Sequence, residues 1–391
     1  MHHLSFPDGA RPDRSSRVSF VRTALRPKPL SVPGLAAWLT AVVLLLAAPG
    51  WGATPVEKKP ASNSATKPKA KFLQEDFPAQ AACISAKFPA GNTAMKGQAI
   101  RLDHDAAVLF DPDLLRMAAG WTGGFITTHG VAFEGGHAAH PAIVGDQKFG
   151  LRQMPGWADA RGSFTDCRAE PFGPLPVEWC RWEGHYVVGN DVVLAYSVLG
   201  TRIHEQPSSV EQGGQVGFVR TFRTEKARQD LATILCEVEG ASGEVRGNIA
   251  TLTLGTNVTR VGLVDAPRTA RLQIVERTRI VLKLPRGTAA GLFKVVVWSG
   301  DAAGQASFAR LLEGKPRMAD IAKGGPSHWP DAVVTQGVLN TSTTPDGAYA
   351  TDSITAPTDN PWKRRIRFAG LDFFADGKRA ALCTHTATCG S

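Results

Sequence analysis

The chain has 391 residues, of which 43% are hydrophobic and 20% charged, so it can form one large or two ordinary globular domains. Its 40 glycines and 26 prolines indicate many turns and few long helices. The net charge of +9 comes almost entirely from residues 1–71, which hold 11 Lys and Arg against three acidic residues. The rest of the chain is near neutral, which argues against a nucleic-acid partner.

The N-terminal segment has the layout of a secretory signal peptide. Basic residues from Arg11 to Lys28 precede an apolar run, Leu35–Ala48, and small residues follow it. This run is shorter than the ~18 to 20 residues that span a bilayer. We therefore predict a signal peptide with a long basic n-region over residues 1–53. Export to the periplasm, the cell envelope or the extracellular space follows, with membrane contact only through this segment if it is not cleaved.

A disordered tether rich in Pro, Lys, Ser and Ala is predicted for residues 54–76. Short apolar strands then recur at near-regular spacing, first at Ala99–Leu102 and Ala106–Phe110. Gly189-Asn190 between two apolar runs predicts a hairpin turn. Eight more strands are predicted, at 202–206, 217–224, 232–238, 249–254, 258–264, 271–276, 279–284 and 292–298. The pattern indicates an all-β fold, an antiparallel β-sandwich of about ten or more strands, over residues 77–323.

One or two short helices are expected within this sandwich. Asp111-Pro112 followed by Gly120 predicts a helix over 111–120, with an Asp N-cap, Pro at the first helical position and Gly at the end. Ser307–Leu312 predicts one or two helical turns. Residues 324–365, rich in Pro, Ser, Thr, Gly and Asp, predict an extended connector. Residues 366–391 begin with a hairpin pattern.

Six cysteines are present, and export permits disulfides. The best candidate is Cys167 with Cys180, which would close a Pro- and Gly-containing loop; two unpaired, buried thiols are the alternative. Asp166 and Arg168 beside it predict an ion pair that holds the base of the loop. The absence of a Cys-x-x-Cys-His motif argues against covalent haem, and the sequence predicts no cofactor for this chain.

Several motifs resemble an uncharacterised domain of large secreted bacterial proteins. They are Phe110–Arg116 running into Ala118–Phe125, Pro155–Ala158, and Gly173–Pro176 before Trp179. The resemblance extends over roughly Ala99 to Cys383. In that family the domain precedes a glucose/sorbosone-dehydrogenase-like β-propeller, often with a cytochrome c module farther on. The resemblance therefore implies that 366–391 is the start of a β-propeller-like module.

The chain departs from that family after Cys383. It reads Thr384-His385-Thr386 and ends at Ser391, where the family continues into the propeller. We interpret the chain as a truncated, frame-shifted N-terminal fragment that lacks the propeller and cytochrome c modules. Sequencing the downstream DNA tests this hypothesis.

Two groups of side chains are candidates for ligand binding. His129, His137 and His140 in one Gly-rich stretch could bind a metal, although their spacing matches no known ligand pattern and solvent-exposed histidines are the alternative. A larger group of aromatics could stack on sugar rings, and core packing is their alternative. This group comprises Trp121, Trp157, Trp179, Trp182 and Tyr186.

The remaining candidates give no catalytic assignment. Asp103, Asp105, Asp111, Glu134, Asp166 and Glu205 are available carboxylates, but sequence cannot place any two at catalytic separation. The basic run Arg220, Arg223, Lys226 and Arg228 is interpreted as a solvated strand edge. We therefore expect a non-catalytic binding or scaffolding module with carbohydrate or envelope proteins as partners. The alternatives are a carbohydrate-active enzyme and a fragment of a sugar-dehydrogenase-like redox protein.

Overall fold

The computed structural model describes residues 78–127, 140–170, 173–326, 331–338, 352–353, 355–362, 366 and 368–384. Its strands, in chain order, are β1 (Ala79–Ser85), β2 (Thr93–Arg101), β3 (Ala106–Asp111), β4 (Arg116–Thr122), β5 (Asp146–Gly150), β6 (Cys180–Val188), β7 (Asp191–Val198), β8 (Thr201–Gln212), β9 (Gln215–Thr224), β10 (Leu231–Glu237), β11 (Ser242–Arg246), β12 (Ile249–Leu254), β13 (Asn257–Val264), β14 (Arg271–Val275), β15 (Arg279–Leu284), β16 (Gly291–Asp301), β17 (Phe368–Phe373) and β18 (Ala380–Thr384). A 3-10 turn, Gly304–Ser307, leads into the short helix α1 (Phe308–Leu311).

Two eight-stranded antiparallel sheets form the body of the protein, which confirms the all-β sandwich. Sheet 1 has the order β1-β2-β3-β4-β5-β10-β15-β14, and sheet 2 has the order β11-β12-β13-β16-β9-β8-β7-β6. Their facing sides share one large core. Strand β7 illustrates the arrangement, since Val192, Leu194, Tyr196 and Val198 point into that core on alternate positions.

The outer face of sheet 2 is partly covered by α1. Phe308 and Leu311 are fully buried against Val296 and Trp298 of β16. These apolar side chains explain why the strand positions that face away from the main core are also buried. The predicted helical turn at 307–312 is confirmed.

Sheet 1 consists of two halves that meet at a single strand pair. Strands β5 and β10 pair only at Gly150 with Glu237. Beside this pair the chain from Leu151 to Ala158 fills the seam, where Ala158 donates to the Ala232 carbonyl at 2.9 Å. Gly156 is required there, because a Cβ atom would lie 2.2 Å from the Leu115 carbonyl oxygen. We call this region the seam of sheet 1.

The predicted helix over 111–120 is wrong. Asp111 ends β3, and Leu115 has a positive φ of 45°, so the chain makes a tight turn into β4. The Asp111 side chain accepts a hydrogen bond from the Asp113 N–H at 3.2 Å, as in an Asx turn. Asp and Pro favour such turns as strongly as they favour a helix start, and pairing with β3 then holds the following residues extended.

Most predicted strands are confirmed, including the Gly189-Asn190 hairpin that joins β6 to β7. Strands β1, β5 and β11 were not predicted, and β4 lies largely where a helix was predicted. Residues 368–384 form the predicted hairpin of β17 and β18; its assignment to a propeller stays a prediction. The predicted signal peptide and tether lie outside the described residues. Within the described ranges, no helix is long and apolar enough to cross a membrane.

Candidate functional site

The five predicted ligand-binding aromatics do not form one exposed surface. Trp121 and Trp157 are fully buried, in two different apolar clusters. Trp179 and Trp182 are half-buried against the main core. Only Tyr186, 45% exposed, presents much of its ring to solvent. Core packing, the alternative left open by the sequence, accounts for the two buried tryptophans. Trp157 lies in the main core between the sheets, and Trp121 packs with Leu109 and Phe125 in a separate cluster of sheet 1.

The predicted histidine site lies mostly outside the described residues. His129 and His137 belong to the undescribed stretch 128–139, and His140 is exposed at its end. Metal binding by these three residues stays a prediction. Elsewhere in the described ranges, no group of three or more His, Cys, Asp or Glu side chains is arranged to hold a metal ion.

The predicted disulfide is not formed. Cys167 and Cys180 are both free thiols; Cys167 is exposed, whereas Cys180 is buried at the start of β6. The predicted ion pair of Asp166 and Arg168 is present at 2.6 Å, and the Arg168 guanidinium lowers the pKa of the Asp166 carboxyl. This arginine also donates to the Pro174 carbonyl, so charge pairing holds the loop base.

The burial of the thiols predicts their reactivity. Desolvation raises the pKa of the Cys236 thiol to about 12 and also raises that of Cys180 well above its ordinary value, which suppresses the reactive thiolate. We expect iodoacetamide at neutral pH to label Cys167 in the folded protein, and Cys180 and Cys236 only after unfolding. Peptide mass spectrometry measures this, with Cys167→Ser as the control. A 167–180 peptide pair two hydrogens lighter than the free thiols would contradict the structure.

A buried ion pair joins the strands of sheet 1 beside the seam. The Arg116 Nε donates to Asp111 Oδ2 at 3.0 Å, and its Nη1 donates to Asn92 Oδ1 at 2.7 Å. Nη1 also donates to the carbonyls of Leu151 and Arg152, which share one of its hydrogens, and Nη2 donates to the Thr93 carbonyl at 3.0 Å. Asp111, interpreted from sequence as a helix cap, is therefore one half of a buried ion pair that connects β2, β3, β4 and the end of β5.

A second buried cluster lies between the sheets. Tyr196 Oη donates to Glu205 Oε2 at 2.5 Å, and Arg220 Nε donates to Glu205 Oε1 at 2.6 Å. Burial raises the pKa of Tyr196 well above its ordinary value, so its hydroxyl stays a donor. The interpretation of Arg220 as a solvated edge residue is wrong, because it is 2% exposed on a central strand.

The sequence did contain a signal that Arg220 faces the core. Strand β9 alternates, with Phe218, Arg220 and Phe222 on one side. Two phenylalanines flanking an arginine at period two place all three on the core side. The neighbouring Arg223 is exposed, as predicted for the run.

A third charge cluster holds the seam of sheet 1 together. Glu237, at the end of β10, accepts from Arg152 Nε at 2.9 Å and from Arg279 Nε at 3.0 Å. The second Arg152 nitrogen lies 2.8 Å from the other Glu237 oxygen, so this pair is bidentate. Because Arg152 follows β5 and Glu237 ends β10, the cluster clips the two halves of sheet 1.

A cleft of about 500 Å³ opens beside this clip; we call it the seam cleft. One wall is β5 with Phe88 and Pro89, and the other is the chain after β10 with the β12–β13 turn and the end of β16. Phe88 and Leu254, which we call the rims of the cleft, both line it and keep 43% and 44% of their surfaces exposed. Arg152, Glu237 and the Thr259 hydroxyl supply polar groups.

The mixture of lining groups suits ligand binding better than proton transfer. Pockets for ligands combine apolar walls with a few placed polar groups, as here. Both oxygens of Glu237 already accept hydrogen bonds from arginine side chains of the protein. A larger depression of about 580 Å³ near Lys226, Arg228 and Arg286 is lined mainly by charged side chains and has no comparable apolar rim. The seam cleft is therefore the candidate site.

Sequence reasoning missed the seam cleft because its lining comes from distant segments. Phe88, Phe149, Glu237 and Leu254 belong to four separate parts of the chain. The only local signal was Phe88 itself, an aromatic residue beside Pro89 in a polar stretch.

Comparison with known proteins adds a family match. Residues 108–205 match the model of a domain of unknown function (DUF6797). The matched range includes Asp111, Arg116, Tyr196 and Glu205 from two of the buried clusters. No curated protein matches the chain. Among solved structures it is similar to the crystal structure of the periplasmic domain of the Thermotoga maritima YidC, with 10% identity, 53% of this chain and 83% of that chain covered, and a TM-score of 0.27. A likeness at that TM-score carries no argument about function.

Proposed function

We propose that the sandwich is a non-catalytic binding or scaffolding module of an exported envelope protein and that the seam cleft receives its carbohydrate or protein ligand. The observation that supports this most directly is that two large apolar side chains of the lining, Phe88 and Leu254, stay exposed beside the polar groups of the same cleft. Exposed apolar side chains lose unfavourable contact with water when a ligand covers them.

The buried charge clusters support a scaffolding role. Arg116 and Arg152 tie neighbouring strands on both sides of the seam through fully or partly buried hydrogen bonds. A cleft whose walls are held in this way is formed before its ligand arrives, which lowers the ordering cost of binding. A cleft with rigid walls suits a binding module, which needs no moving parts for catalysis.

The cellular setting is part of the same proposal. The basic leader and apolar run of residues 1–53 support export to the periplasm, the envelope or the outside of the cell. Downstream propeller and cytochrome c modules are proposed partners within a longer protein. The rival reading, a carbohydrate-active enzyme, requires two carboxyl groups placed for acid–base chemistry. Of the carboxylates that line the cleft, Asp146 pairs with Lys148 and Glu237 with two arginines, so among the described lining residues Glu239 is the one left without an ion pair.

The test is binding with and without the cleft rims. The full chain is screened against a glycan array and a displayed random-peptide library, and hits are measured by calorimetry. We expect a ligand in one of the two collections whose affinity falls about tenfold or more in Phe88→Ser/Leu254→Ser, since each rim residue loses apolar burial.

Val177→Ser is the matched control, because Val177 is exposed but does not line the cleft. It should bind like the unaltered protein. The proposed function would be contradicted if every ligand found bound the double variant with unchanged affinity, or if neither collection contained a ligand.

A further inference from the structure

We propose that the ligand of the seam cleft is an extended polypeptide segment that adds as a strand to the open edge of β5. This inference rests on the proposed function and specifies the ligand class. Three observations support it. One side of β5 is almost unpaired, four consecutive residues of β5 line the cleft, and the two rims, Phe88 and Leu254, are apolar.

The first step is the edge itself. On one side β5 pairs with β4, where Asp146 lies opposite Thr122 and Phe149 opposite Gly120. On its other side β5 pairs with β10 only at Gly150. The next residue after β10, Val238, donates instead to the Thr278 carbonyl at 2.8 Å, away from β5. Among the described residues, no strand pairs with this side of β5 before Gly150.

The second step is the cleft wall. Asp146, Gln147, Lys148 and Phe149 line the cleft as four consecutive residues. Alternate side chains of a strand point to opposite faces, so a lining that includes every residue in a row borders the backbone as well as side chains. Four extended residues span about 13 Å at ~3.3 Å per residue. A cleft of about 500 Å³ along that length accommodates a short peptide.

The third step is the placement of the rims. A peptide added to a sheet edge gains affinity from its backbone and specificity from pockets for its alternate side chains. Phe88 beside β5 and Leu254 across the cleft offer two apolar contacts of this kind. Phe149 is packed edge-on against Phe218 at 5.2 Å, so the floor between them is fixed.

The charged side chains along the open edge of β5 suit a peptide bound through its main chain better than a charged ligand. Lys148 is paired with Asp146 at 2.6 Å, and Arg152 with Glu237 at 2.8 Å. These four groups compensate each other, so Glu239 leaves the lining with a single net negative charge. A sugar would stack on aromatic ring faces, but among the lining residues only Phe88 supplies an exposed ring, and Leu254 is aliphatic.

The experiment uses decapeptides selected from a displayed random library on the full chain. The tightest peptide is then synthesised in two forms, N-methylated at odd or at even positions across its contact region. A strand-added peptide directs alternate amides to β5. We therefore expect one form to bind about tenfold or more weakly and the other to bind nearly unchanged, because only one set of N–H groups donates to the sheet.

A second readout comes from the protein. Hydrogen exchange of the amides in Asp146–Phe149 should slow when the peptide is bound, and Phe88→Ser should weaken binding while Val177→Ser does not. Strand addition is overturned if both methylated peptides bind like the parent, if both fail equally, or if the β5 amides exchange as before. It is also overturned, with the proposed function intact, if only a glycan binds and Phe88→Ser abolishes that binding. Failure of both collections rejects the proposed function itself.

Discussion

An Arg116→Met variant loses about 3 to 5 kcal/mol of unfolding free energy, the usual cost of breaking a buried ion pair from one side. Asp111 then stays buried without its partner, and the Asn92 side chain and the carbonyls of Thr93 and Leu151 lose a donor. Urea denaturation monitored by tryptophan fluorescence measures the change. A loss of this size is a large fraction of the stability of a single domain.

Two further variants separate charge burial from loss of the arginine side chain. Arg161→Met removes an exposed arginine that pairs with Asp159, and it should cost less than about 1 kcal/mol. In Asp111→Leu/Arg116→Met no buried charge is left unpaired, so stability should recover relative to the single variant. Equal losses for Arg116→Met and Arg161→Met would mean that breaking the buried ion pair costs no more unfolding free energy than breaking an exposed one.

The buried ion pair of Arg116 matters for the candidate site because Arg116 also contacts the chain at the seam of sheet 1. It donates to the Leu151 and Arg152 carbonyls, directly after β5. Arg152 in turn clips β10 through Glu237. A continuous line of polar contacts thus runs from the β3–β4 turn to the wall of the seam cleft. We infer that this line holds the β5 edge in position.

The strands could be predicted from sequence because their signals are local. The Gly189-Asn190 turn and the alternation along Arg271–Leu284 need only a few neighbouring residues to be recognised. The helix prediction for Asp111–Gly120 failed because Asp, Pro and Gly at these positions suit both a helix and a tight turn. Pairing of β4 with β3, extended by β5 from Ala119 onward, holds the segment as a strand. Local propensity gave way to sheet formation there.

The seam cleft and the buried clusters could not be predicted in the same way. Glu205 and Arg220 are 15 residues apart on neighbouring strands, so their contact depends on the register of β8 against β9. Phe88 and Leu254 come to line one cleft only after both sheets have formed. Register and sheet order follow from many weak interactions together, which a single sequence does not display.

A Glu205→Gln variant loses about 3 to 5 kcal/mol of unfolding free energy, because Arg220 keeps its charge between the sheets without a carboxylate beside it. The amide preserves the size of the side chain, so the loss reports charge rather than a cavity. Tyr196 also loses its charged acceptor, which normally strengthens its short hydrogen bond. Chemical denaturation at neutral pH measures the effect.

The double variant Glu205→Leu/Arg220→Met decides what the loss means. If the cost lies in the stranded guanidinium, removing both charges restores much of the stability, although Tyr196 then lacks its acceptor and still costs about 1 to 3 kcal/mol. Adding Tyr196→Phe to the double variant removes the buried Tyr196 donor and should bring stability closer still to the unaltered protein. A double variant as unstable as Glu205→Gln would show that the cluster stabilises the sandwich through its shape, and the charge argument for Arg220 would fail.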